Sequence, residues 1–289
     1  MRVVVTGASG QVGRSLIRTA PSHIELHAWK HSDLDICNED QVCETLNACR
    51  PDLIINAAAF TNVDQAEVDS DTAYRVNMNA VECLARTARQ VGSRMIHLST
   101  DYVFDGSLSR PYRPTDATSP LGVYGESKRL GELRAMEQLP DRLVILRSAW
   151  IYSAGAKNFV TKILKAASDR DTLHVVCDQI GSPTWAPSLA HAIWATANHT
   201  HINGVYHWAD AGVASRYDFA FAIIEEATRL GLTSPNIEIQ PVYTEFHQTA
   251  ARRPSYSVLD LRDASRLLTL SPRHWRVQLR AMLSELRDA

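Results

Sequence analysis

The chain has 289 residues and a formal net charge of −2, with its basic residues dispersed and no polybasic tail. That balance gives no footing to nucleic acid or any other polyanion partner, and the length allows one large or two modest domains without disulfide staples. At 45% hydrophobic and 21% charged residues the composition is globular, and no run of about 18 apolar residues exists to cross a membrane.

Apolar, strand-like runs alternate with helical patterns through the first half. "RVVVTGASG" is a short β-branched run stopped by glycines. "HIELHAW", "PDLIINAAAF", "SRMIHLST" and "DRLVILRSAW" follow. Each is continuously apolar rather than alternating, as parallel strands covered on both faces are. Between them, "NEDQVCETLNACR" opens on acids, and "DTAYRVNMNAVECLARTARQVG" keeps helical spacing up to Gly92. The order predicts an α/β fold with a doubly wound, Rossmann-type parallel sheet.

Beyond Trp150 the pattern loosens. "NFVTKILKAAS", "SLAHAIWATANH", "SRYDFAFAIIEEATRLG" and "PRHWRVQLRAMLSELRD" read as helices, and "TLHVVCDQIGSPT" and "GVYHWAD" contain strands. The expected division is a cofactor domain over residues 1–150 and a smaller C-terminal α/β substrate domain over 151–289. The sheet also takes strands from about 172–210. The five cysteines, Cys37, Cys43, Cys49, Cys83 and Cys177, are odd in number and form no C-x-x-C. Free thiols in a cytoplasmic protein are expected. The Gly-rich start "MRVVVTGASG" is too short in apolar residues for a signal peptide.

Gly7, Gly10 and Gly13 form G-x-x-G-x-x-G directly after the first strand. Gly7 permits a tight turn, Gly10 lets a pyrophosphate approach the backbone, and Gly13 lets the helix pack closely on the strand. The second strand ends His27-Ala28-Trp29-Lys30-His31, without the acid that would bind a ribose diol. Lys30 and His31, joined by Arg14, can face a 2′-phosphate. The alternative is a plain solvent-exposed turn. NADPH is the expected cofactor, with NADH as the alternative.

Tyr124 and Lys128 stand four residues apart on a predicted helix and so share one face, about 25 residues after the strand-end pair Ser99-Thr100. A free phenol titrates near pH ~10, and a neighbouring ammonium lowers that value. Tyr124, Lys128 and Thr100 together have the groups needed to polarise a ketone while a cofactor delivers hydride.

With the glycine loop and these three residues in hand, the chain resembles the extended short-chain dehydrogenase/reductases. It is most similar to the dTDP-4-dehydrorhamnose reductase family. The matching stretches include "VTGASGQVG", "PDLIINAAAFTNVDQAE", "STDYVFDG", "TDATSPLGVYGESKRLGE", "LRSAWIY", "DQIGSPT" and "RRPSYSVLD", and they span roughly residues 3–260. The resemblance implies Thr100 as catalytic hydroxyl, Tyr124 as proton donor and Lys128 as the lysine that also binds the nicotinamide ribose. It implies Gly10, Gln11 and Val12 at the pyrophosphate, Asp35 and Ile36 beside the adenine, and Ala59, Phe60 and Thr61 along the cofactor. It assigns Asp101 and Trp150 to the sugar pocket, Trp150 offering a ring face to the sugar. Asn158 and Arg253 are assigned to the nucleotide pyrophosphate.

The activity it implies is NADPH-dependent reduction of dTDP-4-dehydro-L-rhamnose to dTDP-L-rhamnose. Another nucleotide-sugar 4-ketoreductase is the close rival. A non-catalytic regulatory subunit resembling that of methionine adenosyltransferase is the rival of another class. Some family members join a dimer through magnesium held by glutamates. Here Ser15 and the acid-free "WAPSLAH" stand at those positions, so no metal is expected and the protein is read as a monomer or weak homodimer.

Overall fold

The computed structural model describes residues 1–247 and 249–288. Six parallel strands form the central sheet: β1 (Arg2–Thr6), β2 (Glu25–Trp29), β3 (Leu53–Asn56), β4 (Arg94–Thr100), β5 (Leu143–Ser148) and β6 (Gly204–His207). Their spatial order is β2-β1-β3-β4-β5-β6, so the winding reverses between β1 and β3. In open α/β sheets the crevice at such a reversal, beyond the carboxyl ends of the strands, is where ligands bind.

The first strand shows why the sheet is doubly covered. Val3 and Val5 face one apolar cluster, Val4 faces the other, and all three are fully buried. Each contributes on the order of 1.5–3 kcal/mol relative to exposure. The Val3 side is covered by helices α1 (Gln11–Arg18) and, from far along the chain, Ala186–Asn198. The Val4 side is covered by α2 (Glu39–Cys49), α3 (Ala80–Val91) and α4 (Val123–Gln138).

Asn38 caps α2 by accepting from the Gln41 N–H, and Gly92 ends α3 in the left-handed conformation, as the sequence signals predict. Upstream of α3 the predicted continuous helix differs. The helical turn Ser70–Tyr74 passes into α3 through one wide π turn, Arg75–Asn79.

Of the strands expected from about residues 172–210, β6 joins the central sheet as its edge. Thr172–Val176 does not. It pairs in parallel with Glu238–Val242, outside the central sheet. Around that pair a third apolar cluster gathers α5 (Phe159–Asp169), α6 (Arg216–Arg229) and α7 (Trp275–Arg287). This smaller α/β unit stands over the carboxyl ends of β1, β4 and β5. Its contacts reach back into the glycine loop, where the Gln11 side chain accepts from Ser153 Oγ and Asn158 Nδ2, each at 3.0 Å.

Candidate active site

Two cavities meet at the reversal point and share Gly10, Ala57 and Ala59. The larger, about 500 Å³, opens towards the second unit, and the other, about 420 Å³, runs along the segment that follows β2, from His31 to Cys37. Between them the glycine loop presents bare backbone. Gly7 has φ +71, and a Cβ there would lie 2.6 Å from Ala58 N, so only glycine fits. A Cβ on Gly13 would come within 2.3 Å of Gly7 O, which is the close helix–strand packing expected of it. No side chain caps α1 and its first turn carries no acid. Its N–H groups therefore face the junction of the two cavities as an anion site. This cradle fits a dinucleotide, pyrophosphate at the helix end and one nucleoside in each cavity.

The larger cavity brings together Gln11, Val12, Ala59, Thr61, Asn158 and the set Thr100, Asp101, Tyr124, Lys128 and Trp150. The smaller is lined by Gly7, Asp35 and Ile36, with His31, Thr72 and Arg75. Five expected residues line neither cavity, among them Arg14, whose guanidinium donates to the Gly155 carbonyl instead. Gly13 acts through packing. Phe60 is held by its backbone, its N–H donating to Asn77 Oδ1 at 2.9 Å and its carbonyl accepting from Asn77 Nδ2 at 3.0 Å. Arg253 is paired with Asp64 at 2.7 Å. Lys30 is exposed, and the basic side chains at the smaller cavity are His31 and Arg75 instead.

Tyr124 rides on the first turn of α4. Gly122 precedes that helix without a side-chain cap, and Glu67 supplies one by accepting from the Val123 N–H at 2.8 Å. Tyr124 faces Thr100, whose Oγ1 donates to Asp101 Oδ1 at 3.1 Å. Burial raises the Tyr124 phenol well above its usual value. The lowering expected from Lys128 is absent because the ammonium points elsewhere. Lys128 Nζ donates to the Leu98 carbonyl at 2.7 Å and lies 3.3 Å from His97 Nε2. Burial pushes its pKa down to about 8, against a smaller upward pull from Glu132. Burial likewise raises Asp101 to about 6, opposed by hydrogen bonds from Ser257 at 2.6 Å and from Thr100. Ser99 Oγ and Ser148 Oγ, both buried in the cavity lining, have no hydrogen-bond partner among the described residues. Unsatisfied hydroxyls in a polar cavity fit a ligand that bonds them.

The sequence reading missed Glu67, His97, Arg75 and Arg216. Two carried a local signal. His97 interrupts an apolar parallel strand, and Arg216 puts a cation at the positive end of a helix.

The sequence model described as the RmlD substrate binding domain matches residues 1–288. The chain is 39% identical over 286 residues to a dTDP-4-dehydrorhamnose reductase of Aggregatibacter actinomycetemcomitans, covering 96% of this chain and 97% of that one. It is 38% identical over 294 residues to a protein of the same name from Escherichia coli K12, covering 99% and 98%. The crystal structure of dTDP-4-dehydrorhamnose reductase from Bacillus anthracis, in complex with NADP, matches with a TM-score of 0.92. Its identity is 34%, and the match covers 98% of this chain and 99% of that one. Matched along this length by the family model and by relatives at 34–39% identity, the chain belongs to the dTDP-4-dehydrorhamnose reductase family.

Proposed function

We propose that the protein reduces the 4-keto group of dTDP-4-dehydro-L-rhamnose to give dTDP-L-rhamnose, with NADPH as reductant. The observation that carries this is the convergence of Thr100, Tyr124 and Lys128 in one cavity that opens onto the glycine cradle. Curated relatives at 38–39% identity carry the reductase name, and a relative's structure holds NADP.

When bound, the cofactor supplies hydride. The chain's own residues do the rest. Gly10 and the first turn of α1 hold its pyrophosphate, and Asp35 and Ile36 lie where its adenosine would rest. Lys128 is the candidate for its nicotinamide ribose. Tyr124, its phenol raised by burial, stays protonated at neutral pH and so stands loaded as an acid. It gives that proton to the 4-keto oxygen, while Thr100 Oγ1 helps hold the same oxygen in place.

We assign residues 1–150 mainly to the cofactor and 151–289 mainly to the sugar nucleotide. Gln11, Ser153 and Asn158 form the seam between them. Among the described residues no helix is long and apolar enough to cross a membrane, and no cluster of three His, Cys, Asp or Glu is set to hold a metal. A monomer or weak homodimer is the reading that goes with Ser15 in the place of a bridging acid, and a cytoplasmic location the one that goes with the free cysteines.

The test follows NADPH oxidation with the dTDP-4-keto sugar, compared with UDP- and GDP-linked keto sugars. Preferred turnover of the dTDP substrate is expected. Turnover of another keto sugar alone would move the assignment to a different 4-ketoreductase. No turnover with any, despite NADPH binding, would leave a regulatory protein.

A further inference from the structure

Trp150 is held in an uncommon way. Its φ is +46, a conformation that bulky residues rarely adopt. Such a backbone costs on the order of 1–3 kcal/mol and persists only where the surroundings enforce it. The enforcement is visible. Thr184 N–H donates to the Trp150 carbonyl, and Gly181 lies against the indole, where a Cβ would come within 2.6 Å of Cε2 and 2.8 Å of Cζ2 and Nε1. Cε2 is the nearest of the three, so Gly181 meets the ring face rather than its edge. Arg216 covers the opposite face, its guanidinium carbon 3.5 Å from the ring centroid. Both faces of Trp150 are therefore occupied, one by Gly181 and the other by a cation.

Arg216 is itself in a costly place. It is the first residue of α6, where the helix dipole disfavours positive charge. Unlike Arg253, it has no ion-pair partner among the described residues. Its polar neighbour is Tyr102, with Asp101 acting only as a nearby charge. Two short strand pairings fix it against the indole's backing, since Ala214 pairs with Gly181 and the Arg216 N–H donates to the Gln179 carbonyl. A strained tryptophan, an obligate glycine and a misplaced cation thus combine to aim one guanidinium into the larger cavity.

The charges there say what it is aimed at. Lys128, Lys157 and Arg216 line the cavity against a single carboxylate, Asp101, which is already bonded by Ser257 and Thr100. Lys128 is drawn back onto the Leu98 carbonyl. The remaining positive charge calls for an anion, and a planar guanidinium matches phosphate oxygens two at a time.

We propose that Arg216 receives the diphosphate of the sugar nucleotide, with Trp150 as the platform that holds it there. This rests on the functional reading above. It changes Trp150 from a surface for the sugar into a support for the residue that grips the nucleotide end of the substrate.

Three proteins test it: wild type, Arg216→Gln and Gly181→Ala. The last lies outside the cavity and acts only by displacing the indole. Affinity is measured for dTDP, for thymidine, which lacks phosphate, and for NADPH. In Arg216→Gln, dTDP affinity should fall about 10- to 100-fold, as expected for a lost charge-assisted contact, and KM for the keto sugar should rise in step. Thymidine and NADPH affinities should stay within roughly twofold, and Gly181→Ala should share the dTDP defect while keeping NADPH binding as a sign of an intact fold. Unchanged dTDP binding in Arg216→Gln overturns the assignment. So does an equal loss for thymidine, which would put the base there, or a loss confined to NADPH. A wild-type protein that binds NADPH but not dTDP overturns the functional reading, and this assignment with it.

Discussion

Lys128 Nζ lies 3.3 Å from His97 Nε2, and the hydrogen bonds behind His97 determine what it offers. The Ala58 N–H donates to Asn56 Oδ1 at 3.1 Å, as does Thr6 Oγ1 at 2.7 Å, so the Asn56 amide nitrogen faces His97 Nδ1 at 3.1 Å. Nδ1 accepts, and the neutral ring carries its proton on Nε2, towards the lysine. Burial, reinforced by Lys128, holds His97 well below its usual pKa, so the ring is neutral. A donor facing Nζ works against the ammonium form, in the same direction as burial, which brings Lys128 down to about 8.

A stability prediction follows from that shift. In the unfolded chain Lys128 titrates near pH ~10.4, so between pH 8 and 10.4 the unfolded state binds the extra proton. Stability therefore rises with pH across that window, and below pH 8 the burial penalty is fully present. Lys128→Met should stabilise the ligand-free protein at pH 7 by about 1–3 kcal/mol, the loss of the Leu98 hydrogen bond included. The gain should shrink as pH approaches 10 while activity is lost throughout. Urea unfolding at pH 7 and pH 10 measures it, and a variant less stable than wild type at pH 7 would show that the lysine is not a burdened group.

Tyr124→Phe removes the phenolic proton and keeps the ring. Turnover should fall on the order of 10²-fold or more, with NADPH affinity retained. Single-turnover measurement with saturating cofactor separates the two. Near-normal turnover would hand the proton to another group, of which Asp101, raised to about 6, is the nearest candidate.

How far the sequence alone reached differs between backbone and side chains. The β-branched runs and Gly92 marked the strands and a helix end, because period and cap are local properties. Gly7, Gly10, Thr100, Tyr124 and Lys128 were legible because their spacing is tied to those elements. What escaped depends on contacts between distant segments. The direction of Lys128 is decided by a carbonyl and a histidine on β4, and the Val123 N–H is capped by Glu67, 56 residues earlier. Lys30 stays exposed outside both cavities, and a strand end does not reveal which of its residues turns inward. Thr172–Val176 was attached to the wrong sheet because its partner, Glu238–Val242, lies far down the chain.

The NADPH preference is best tested at a different residue. Arg75 lines the smaller cavity together with His31, while Lys30 does not. Arg75→Ala should weaken NADPH by roughly 5- to 30-fold, the worth of about 1–2 kcal/mol for an exposed charge-assisted contact, and leave NADH nearly untouched. Lys30→Ala should leave both cofactors within about twofold, since it loses no charge-assisted contact. Both titrations need one fixed salt concentration, because screening changes such contacts. An unchanged preference in Arg75→Ala would pass the role to His31 or the backbone.

Arg147 and Glu132 form a buried bidentate pair between β5 and α4, at 2.9 and 2.6 Å, with Arg147 Nη1 already lacking a partner. Glu132→Gln leaves the guanidinium buried without a counter-charge and should destabilise by about 3–5 kcal/mol. Replacing both residues with Met and Leu should recover most of that loss. Thermal unfolding of the single and double variants decides it, and a single variant within about 1 kcal/mol of wild type would show that water reaches the pair.

The wide turn at Arg75–Asn79 carries one more residue than an α-helical turn, so the segments before and after it are out of phase by about 100°. That offset lets Asn77 point inward, bonding Phe60 on both sides of its peptide and Ser127 on α4, while Arg75 points to the smaller cavity. Deleting any one residue from this stretch would give a more regular helix, one that propensity alone would favour. It would also swing one of these two side chains off its target. The site is therefore kept by an irregularity that local folding preference works to erase, and the one-residue surplus has to be inherited intact for Asn77 and Arg75 both to keep their places.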